Sequence, residues 1–168
     1  MDRAQLREQI VAAFTENQYP GDDRLTWYGT PGPEVGPPYD ETFQLLRGRS
    51  WREMPVEEFL LGDTPIPDLT PEAYHYYMPA LLLASLDDVA CGDVAFTVTF
   101  YLSFIPQIHE FGRYSHEYRR EYNQRMALFT DAQREVLIRV LEAYVALGWE
   151  ALEEVQPTID IIREKKRL

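Results

Sequence analysis

Apolar positions recur at helical spacing through most of this chain. In residues 2–17, Leu6, Ile10, Ala13 and Phe14 share one stripe, while Arg3, Arg7 and Glu8 lie off it, which predicts an amphipathic helix. Tyr19-Pro20-Gly21-Asp22-Asp23 ends that helix in a turn. A short helix begins at Asp40, carries Phe43, Leu45 and Leu46, and meets a stop signal at Gly48. Ser50-Trp51-Arg52-Glu53 starts another turn, and Pro55 opens a short helix through Leu61. His109 to Arg125 is polar, with Tyr114, Tyr118 and Tyr122 at four-residue spacing on one helical face. Thr130-Asp131-Ala132-Gln133 has capping-box form. The helix after it places Val136, Leu137, Val140, Leu141, Tyr144 and Val145 on one side, with Gly148 at its end. Trp149 to Arg163 predicts a last helix, interrupted near Pro157.

One stretch departs from the amphipathic pattern. From Leu69 to Leu86 the chain predicts a helix whose second half is apolar on nearly every side, so it must be buried all round. Thr70 is its N-cap, Pro71 sits at N1 where a missing N–H costs nothing, and Glu72 favours the positive end of the dipole. Pro79 falls inside and takes away the N–H that would bond the carbonyl of His75, which predicts a kink. The segment is too short and too tyrosine-rich to span a bilayer of roughly 30 Å.

Two regions resist a helical reading. Residues 29–38 hold Gly or Pro at seven of ten positions, which predicts a long surface loop without the lysine and hydroxyl residue of a phosphate-binding loop. At 94–104, Val94, Phe96, Val98 and Phe100 alternate with smaller residues as in a short strand. Nothing else in the chain offers a clear partner strand, and a lone strand leaves its backbone unpaired, so a buried helix that Pro106 breaks is the preferred reading there. The expected fold is mainly α: a single-domain helical bundle over 1–168, wrapped around a central helix at about 71–86.

Composition narrows the class. A chain of 168 residues with 45% hydrophobic and 13% aromatic residues supports one domain with a real core. Asp2, Arg3, Arg7 and Glu8 break any apolar leader, and the single Cys91 excludes an internal disulfide or a cysteine-built zinc site, so a cytoplasmic setting is expected. Cys91 stands among acids that disfavour a thiolate. The net charge is −12 and uneven. Residues 53–112 contain no Lys or Arg but ten acids: Glu53, Glu57, Glu58, Asp63, Asp68, Glu72, Asp87, Asp88, Asp93 and Glu110. Both lysines, Lys165 and Lys166, lie in the C-terminal tail. This balance repels nucleic-acid backbones and anionic membranes and attracts a basic protein. Its bland counterpart is a solvated acidic face that keeps the chain soluble.

Candidate chemistry is sparse. Glu72-x-x-His75 has the spacing of a di-iron motif, but such bundles need a second copy and two further glutamates. His109-Glu110 and His116-Glu117 stand seven residues apart, about 10 Å along a helix axis, too far to share one ion without a bend. No nucleophile elbow, zinc-protease motif or dinucleotide fingerprint occurs, so no catalytic residue, metal or cofactor is assigned. Asp22 and Asp23 either close a turn or accept from a cation or an arginine. Tyr74, Tyr76 and Tyr77 cover more than one helical face and read as core tyrosines with wet rims or as contact residues. Trp51 with Arg47 and Arg49 reads as a staple between short helices or as a recognition patch.

Three stretches taken together, Tyr19-Pro20-Gly21-Asp22-Asp23, Leu46-Arg47-Gly48-Arg49-Ser50-Trp51-Arg52 and Leu69-Thr70-Pro71-Glu72-Ala73-Tyr74 running on to Pro79-Ala80, resemble a family of small bacterial proteins catalogued only as a domain of unknown function. Phe129-Thr130-Asp131-Ala132-Gln133-Arg134 before the long helix fits the same pattern. The resemblance implies a bacterial, cytoplasmic, mostly helical single domain and brings no activity with it. The functional expectation is a protein-binding module, an acidic inhibitor or immunity-type protein, with Asp22, Asp23, Trp51, Glu57, Glu58, Tyr74, Tyr77, Asp87 and Asp88 as contact residues. The competing readings are an enzyme built on Glu72, His75 and Asp22 or Asp23, and a structural subunit.

Overall fold

The computed structural model describes residues 2–30, 39–54, 68–87, 91–108, 115–150 and 152–164. Among these the chain forms α1 (Arg3–Ala13), a 3-10 turn (Asp22–Arg24), α2 (Tyr39–Leu46), a second 3-10 turn (Trp51–Glu53), α3 (Pro71–Ser85), α4 (Cys91–Ile108), α5 (Ser115–Ala127), α6 (Asp131–Leu147) and α7 (Leu152–Glu164). The expected helix from Pro55 to Leu61 and most of the Pro/Gly loop, from Pro31 to Pro38, lie outside the described residues.

α3 is the hub. It packs against α1, α4, α5 and the second 3-10 turn, while α6 joins α1 to α7 and α4 reaches α5 and α7. Ala73, Tyr74, Tyr76 to Leu82, Ala84 and Ser85 are all buried, so this helix meets protein on every side. Each fully buried leucine, such as Leu81 and Leu82, contributes about 1.5–3 kcal/mol by leaving water. One cluster of buried apolar side chains runs from Leu6 on α1 to Ile162 on α7.

The helix ends follow the local chemistry. The Thr70 hydroxyl accepts from Ala73 N–H at 3.2 Å, with Pro71 at N1. Thr130 and Gln133 make a reciprocal capping box, and Gly148 closes α6 at φ 71°, where a Cβ would be strained. Asp2 caps α1 through Ala4 N–H at 2.9 Å.

Three expectations change. The alternative of a short strand at 94–104 is overturned: those residues lie within α4. Their alternation loses because the described residues offer only an isolated bridge, Thr26 with Leu69, and a lone strand would bury unpaired backbone groups. α4 also continues through Pro106 to Ile108, and α7 runs without interruption through Pro157. α1 ends at Ala13 rather than near residue 17: Phe14 is its C-cap, and Asn17 N–H closes a turn onto Phe14 O at 3.1 Å.

The Asn17 side chain meets α3 at a gap left by Pro79. Without an N–H at Pro79, the His75 carbonyl has no intrahelical donor, and Asn17 Nδ2 donates to it at 3.1 Å. Replacing Asn17 with alanine is expected to cost about 1–3 kcal/mol in urea unfolding, the penalty for an orphaned carbonyl and a lost amide partner. In a Pro79→Ala background, where the backbone N–H is restored, the same change is expected to cost less. Equal costs in the two backgrounds would show that Asn17 does not replace the missing helix bond.

Candidate functional site

The 19–28 segment and the end of α2 meet through side chains rather than through helix packing. Tyr19 Oη donates to Asp22 Oδ1 at 2.6 Å and accepts from Gly48 N–H at 2.8 Å. Asp22 Oδ2 takes a hydrogen bond from Arg47 Nε at 3.2 Å. The hydrogen bond from Tyr19 and then the Arg47 guanidinium hold the Asp22 carboxyl below its usual range. Burial and the bonded carboxylate push the Tyr19 hydroxyl up to about 12. Gly21, just before the 3-10 turn, has φ 96°, a backbone conformation that strains any residue with a Cβ. With donor and acceptor capacity both used, Tyr19 and Asp22 form a clasp between the first 3-10 turn and α2. Of the two sequence readings of Asp22, turn closure and arginine acceptance both hold.

The other expected contact residues separate. Tyr74, Tyr77 and Trp51 are each 1% exposed, so the structure makes them core residues rather than contact residues. Tyr77 Oη reaches the carbonyls of Leu46 at 2.7 Å and Arg49 at 3.1 Å, tying α3 to the end of α2. The Arg125 guanidinium lies over the Tyr74 ring at 4.7 Å. Trp51 is covered by Arg52 at 4.2 Å, so the patch expected from Trp51 with Arg47 and Arg49 does not form, and its buried Nε1 has no hydrogen-bond partner among the described residues. Tyrosine and tryptophan carry enough apolar area to go either way, and only the surrounding helices decide. Asp23 is exposed in the first 3-10 turn, and Asp87 is partly exposed just past α3. Glu57, Glu58 and Asp88 lie outside the described residues.

His75 has a defined environment. Gln133 Oε1 already accepts from Thr130 N–H at 2.9 Å and lies 3.0 Å from His75 Nε2, so the imidazole must donate there. Gln133 Nε2 donates to Ala13 O at 3.2 Å and to Asn17 Oδ1 at 2.9 Å. Every hydrogen-bonding position of this amide is used. It ties α1, α3 and α6 together, and His75 Nε2 is committed to it. Glu72 is exposed in the first turn of α3. Among the described residues no group of three or more His, Cys, Asp or Glu is placed to hold a metal ion. Of the groups in the enzyme reading, Glu72, His75 and Asp22 or Asp23, His75 is bonded to Gln133 and Asp22 to Tyr19 and Arg47, while Glu72 and Asp23 are exposed.

The sequence reading passed over Trp27 and Tyr28, which are 48% and 54% exposed. They sit on a turn closed by Gly29 N–H to Thr26 O at 3.0 Å and pinned by Trp27 N–H to Asp68 O at 3.1 Å. Two adjacent aromatics running into a Pro/Gly stretch were the available signal, because such residues have no helical stripe to join.

No protein-family model, curated protein or solved structure matches this chain.

Burial lowers the His75 pKa against the opposing pull of its bond to Gln133. A lowered imidazole pKa means the unfolded chain binds more protons, so its stabilising contribution is present above about pH 6.5 and lost as pH falls. In His75→Gln, the drop in urea midpoint between pH 7.5 and pH 5.5 is expected to be smaller than in the parent. An equal drop would assign that loss to other groups.

Proposed function

We propose that this chain is a protein-binding module that captures a basic partner, an inhibitor or immunity-type protein of a bacterial cytoplasm. The observation that supports it is the ten-acid stretch at 53–112, which carries no cation of its own. Of its described acids, Glu53 and Glu72 are exposed and Asp68 and Asp87 are partly exposed.

The pairing of charge elsewhere adds to this. Arg47 is bonded to Asp22, Arg139 to Glu135, and Arg163 to Glu142, at 3.2, 3.2 and 2.7 Å. Arg125 is paired with Glu121 inside α5. These arginines are matched to carboxylates near them, so the acid surplus falls on the other segments. A one-signed surface of this kind speeds encounter with an opposite charge and weakens with salt. Among the described residues no helix is long and apolar enough to cross a membrane. The family resemblance of the motifs belongs to this proposal and adds no activity to it.

The test is a fluorescently labelled nine-arginine peptide titrated with the full chain at several salt concentrations. Binding is expected to weaken steeply with salt. The variant carrying lysine at Glu57, Glu58, Asp87 and Asp88 is expected to lose at least about tenfold in affinity, since each 1.4 kcal/mol is a factor of ten. Unchanged affinity in a variant that still melts cooperatively would reject capture by charge.

A further inference from the structure

We propose that the Trp27–Tyr28 turn and the carboxylate of its backbone partner Asp68 form a receptor for one arginine side chain of a basic protein. This rests on the reading of the chain as a capture module and names its anchor point.

The turn is held from several sides. Besides the Gly29 and Trp27 bonds, Thr26 Oγ1 donates to Gly29 O at 3.1 Å, Thr70 N–H to Leu25 O at 3.2 Å, and Thr70 Oγ1 to Arg24 O at 2.6 Å. A rigid turn that keeps two large aromatics in water has the composition of an interface centre, where Trp and Tyr dominate binding energy. Order at the turn also lowers the entropy a partner must remove on docking.

Backbone pairing brings the two residues together. The antiparallel bridge sets Thr26 opposite Leu69, and next to it Trp27 N–H donates to Asp68 O at 3.1 Å. Asp68 is partly buried, and its carboxylate makes no hydrogen bond or ion pair with any described residue. Burial raises its pKa, a shift that an incoming cation would reverse. Arg125, whose charge and that of Asp68 both act on Tyr101, is already engaged: it donates to Leu69 O at 3.1 Å and pairs with Glu121. Asp23 adds an exposed acid in the preceding 3-10 turn.

An exposed indole on a residue whose backbone neighbour carries an unpaired carboxylate suits a guanidinium better than an ammonium. Arginine stacks on the ring and offers its planar fork to the carboxylate at once, whereas lysine supplies a point charge.

The experiment follows anisotropy of labelled nine-arginine and nine-lysine peptides with the full chain and with Trp27→Ala and Asp68→Asn. Trp27 is exposed, so its variant is expected to melt with the parent, and Asp68→Asn keeps the side-chain shape. Each change is expected to weaken the arginine peptide about three- to tenfold and the lysine peptide less. Affinity within twofold of the parent in both variants would overturn the receptor. If the four-site lysine variant then still loses binding, charge capture survives without this anchor. If the parent binds neither peptide at low salt, both readings fall. Sedimentation of the same samples gives the remaining outcome: a dimer of the parent that Trp27→Ala dissociates, with peptide affinity unchanged, would assign the turn to a second copy and overturn the proposal.

Discussion

Burying α3 on every side sets the terms for the rest of the molecule. A helix within the core cannot hand its polar groups to water, so each needs a partner inside the protein. The supply comes from every direction. Asn17 serves the carbonyl that Pro79 orphans, and Gln133 takes the His75 ring. Tyr77 is satisfied by the end of α2, Ser85 by Leu82 O at 2.7 Å, and Tyr144 reaches back to the Ser85 hydroxyl. At the far end, Arg7 donates to Leu83 O at 3.0 Å, a second donor on a last-turn carbonyl that Leu86 N–H also reaches at 3.3 Å.

The same demand shapes the surface. Thr70 caps α3 through Ala73, and its hydroxyl also donates to Arg24 O. Its backbone N–H continues the short pairing with Leu25 that joins Trp27 to Asp68 through their backbones. One residue that starts the central helix therefore also fixes the exposed turn. Rigidity at the turn is a by-product of closing the core. The Tyr19–Asp22–Arg47 clasp holds the other side of the first 3-10 turn to α2, so residues 19–28 are restrained at both ends.

Legibility in the sequence tracked how local the deciding interaction was. Thr70, Pro71, Thr130, Gln133 and Gly148 were readable because a cap is settled within four residues. The all-round apolar run marked α3 as buried without any structure. Prolines misled. Pro106 and Pro157 were read as breaks, yet α4 and α7 pass through both. Tertiary packing can outweigh the loss of one backbone bond. Alternation at 94–104 kept a strand in view, and pairing geometry, a property of distant segments, removed it.

The candidate site was legible only in part. The acid surplus is a count, and a count needs no fold. Which aromatics face water is another matter. Tyr74, Tyr77 and Trp51 have the composition of an interface and lie in the core, while Trp27 and Tyr28 look like loop residues and stand exposed. By itself the sequence determined the helices, their caps, the identity of the hub and the sign of the surface, because each depends on neighbours in the chain or on totals. Tertiary structure alone decided which tyrosines and tryptophans are buried, who satisfies most polar groups of α3, and that Trp27 and Asp68 are joined through their backbones. Those outcomes depend on segments some 28 to 120 residues apart meeting in space, and no local rule encodes such a meeting.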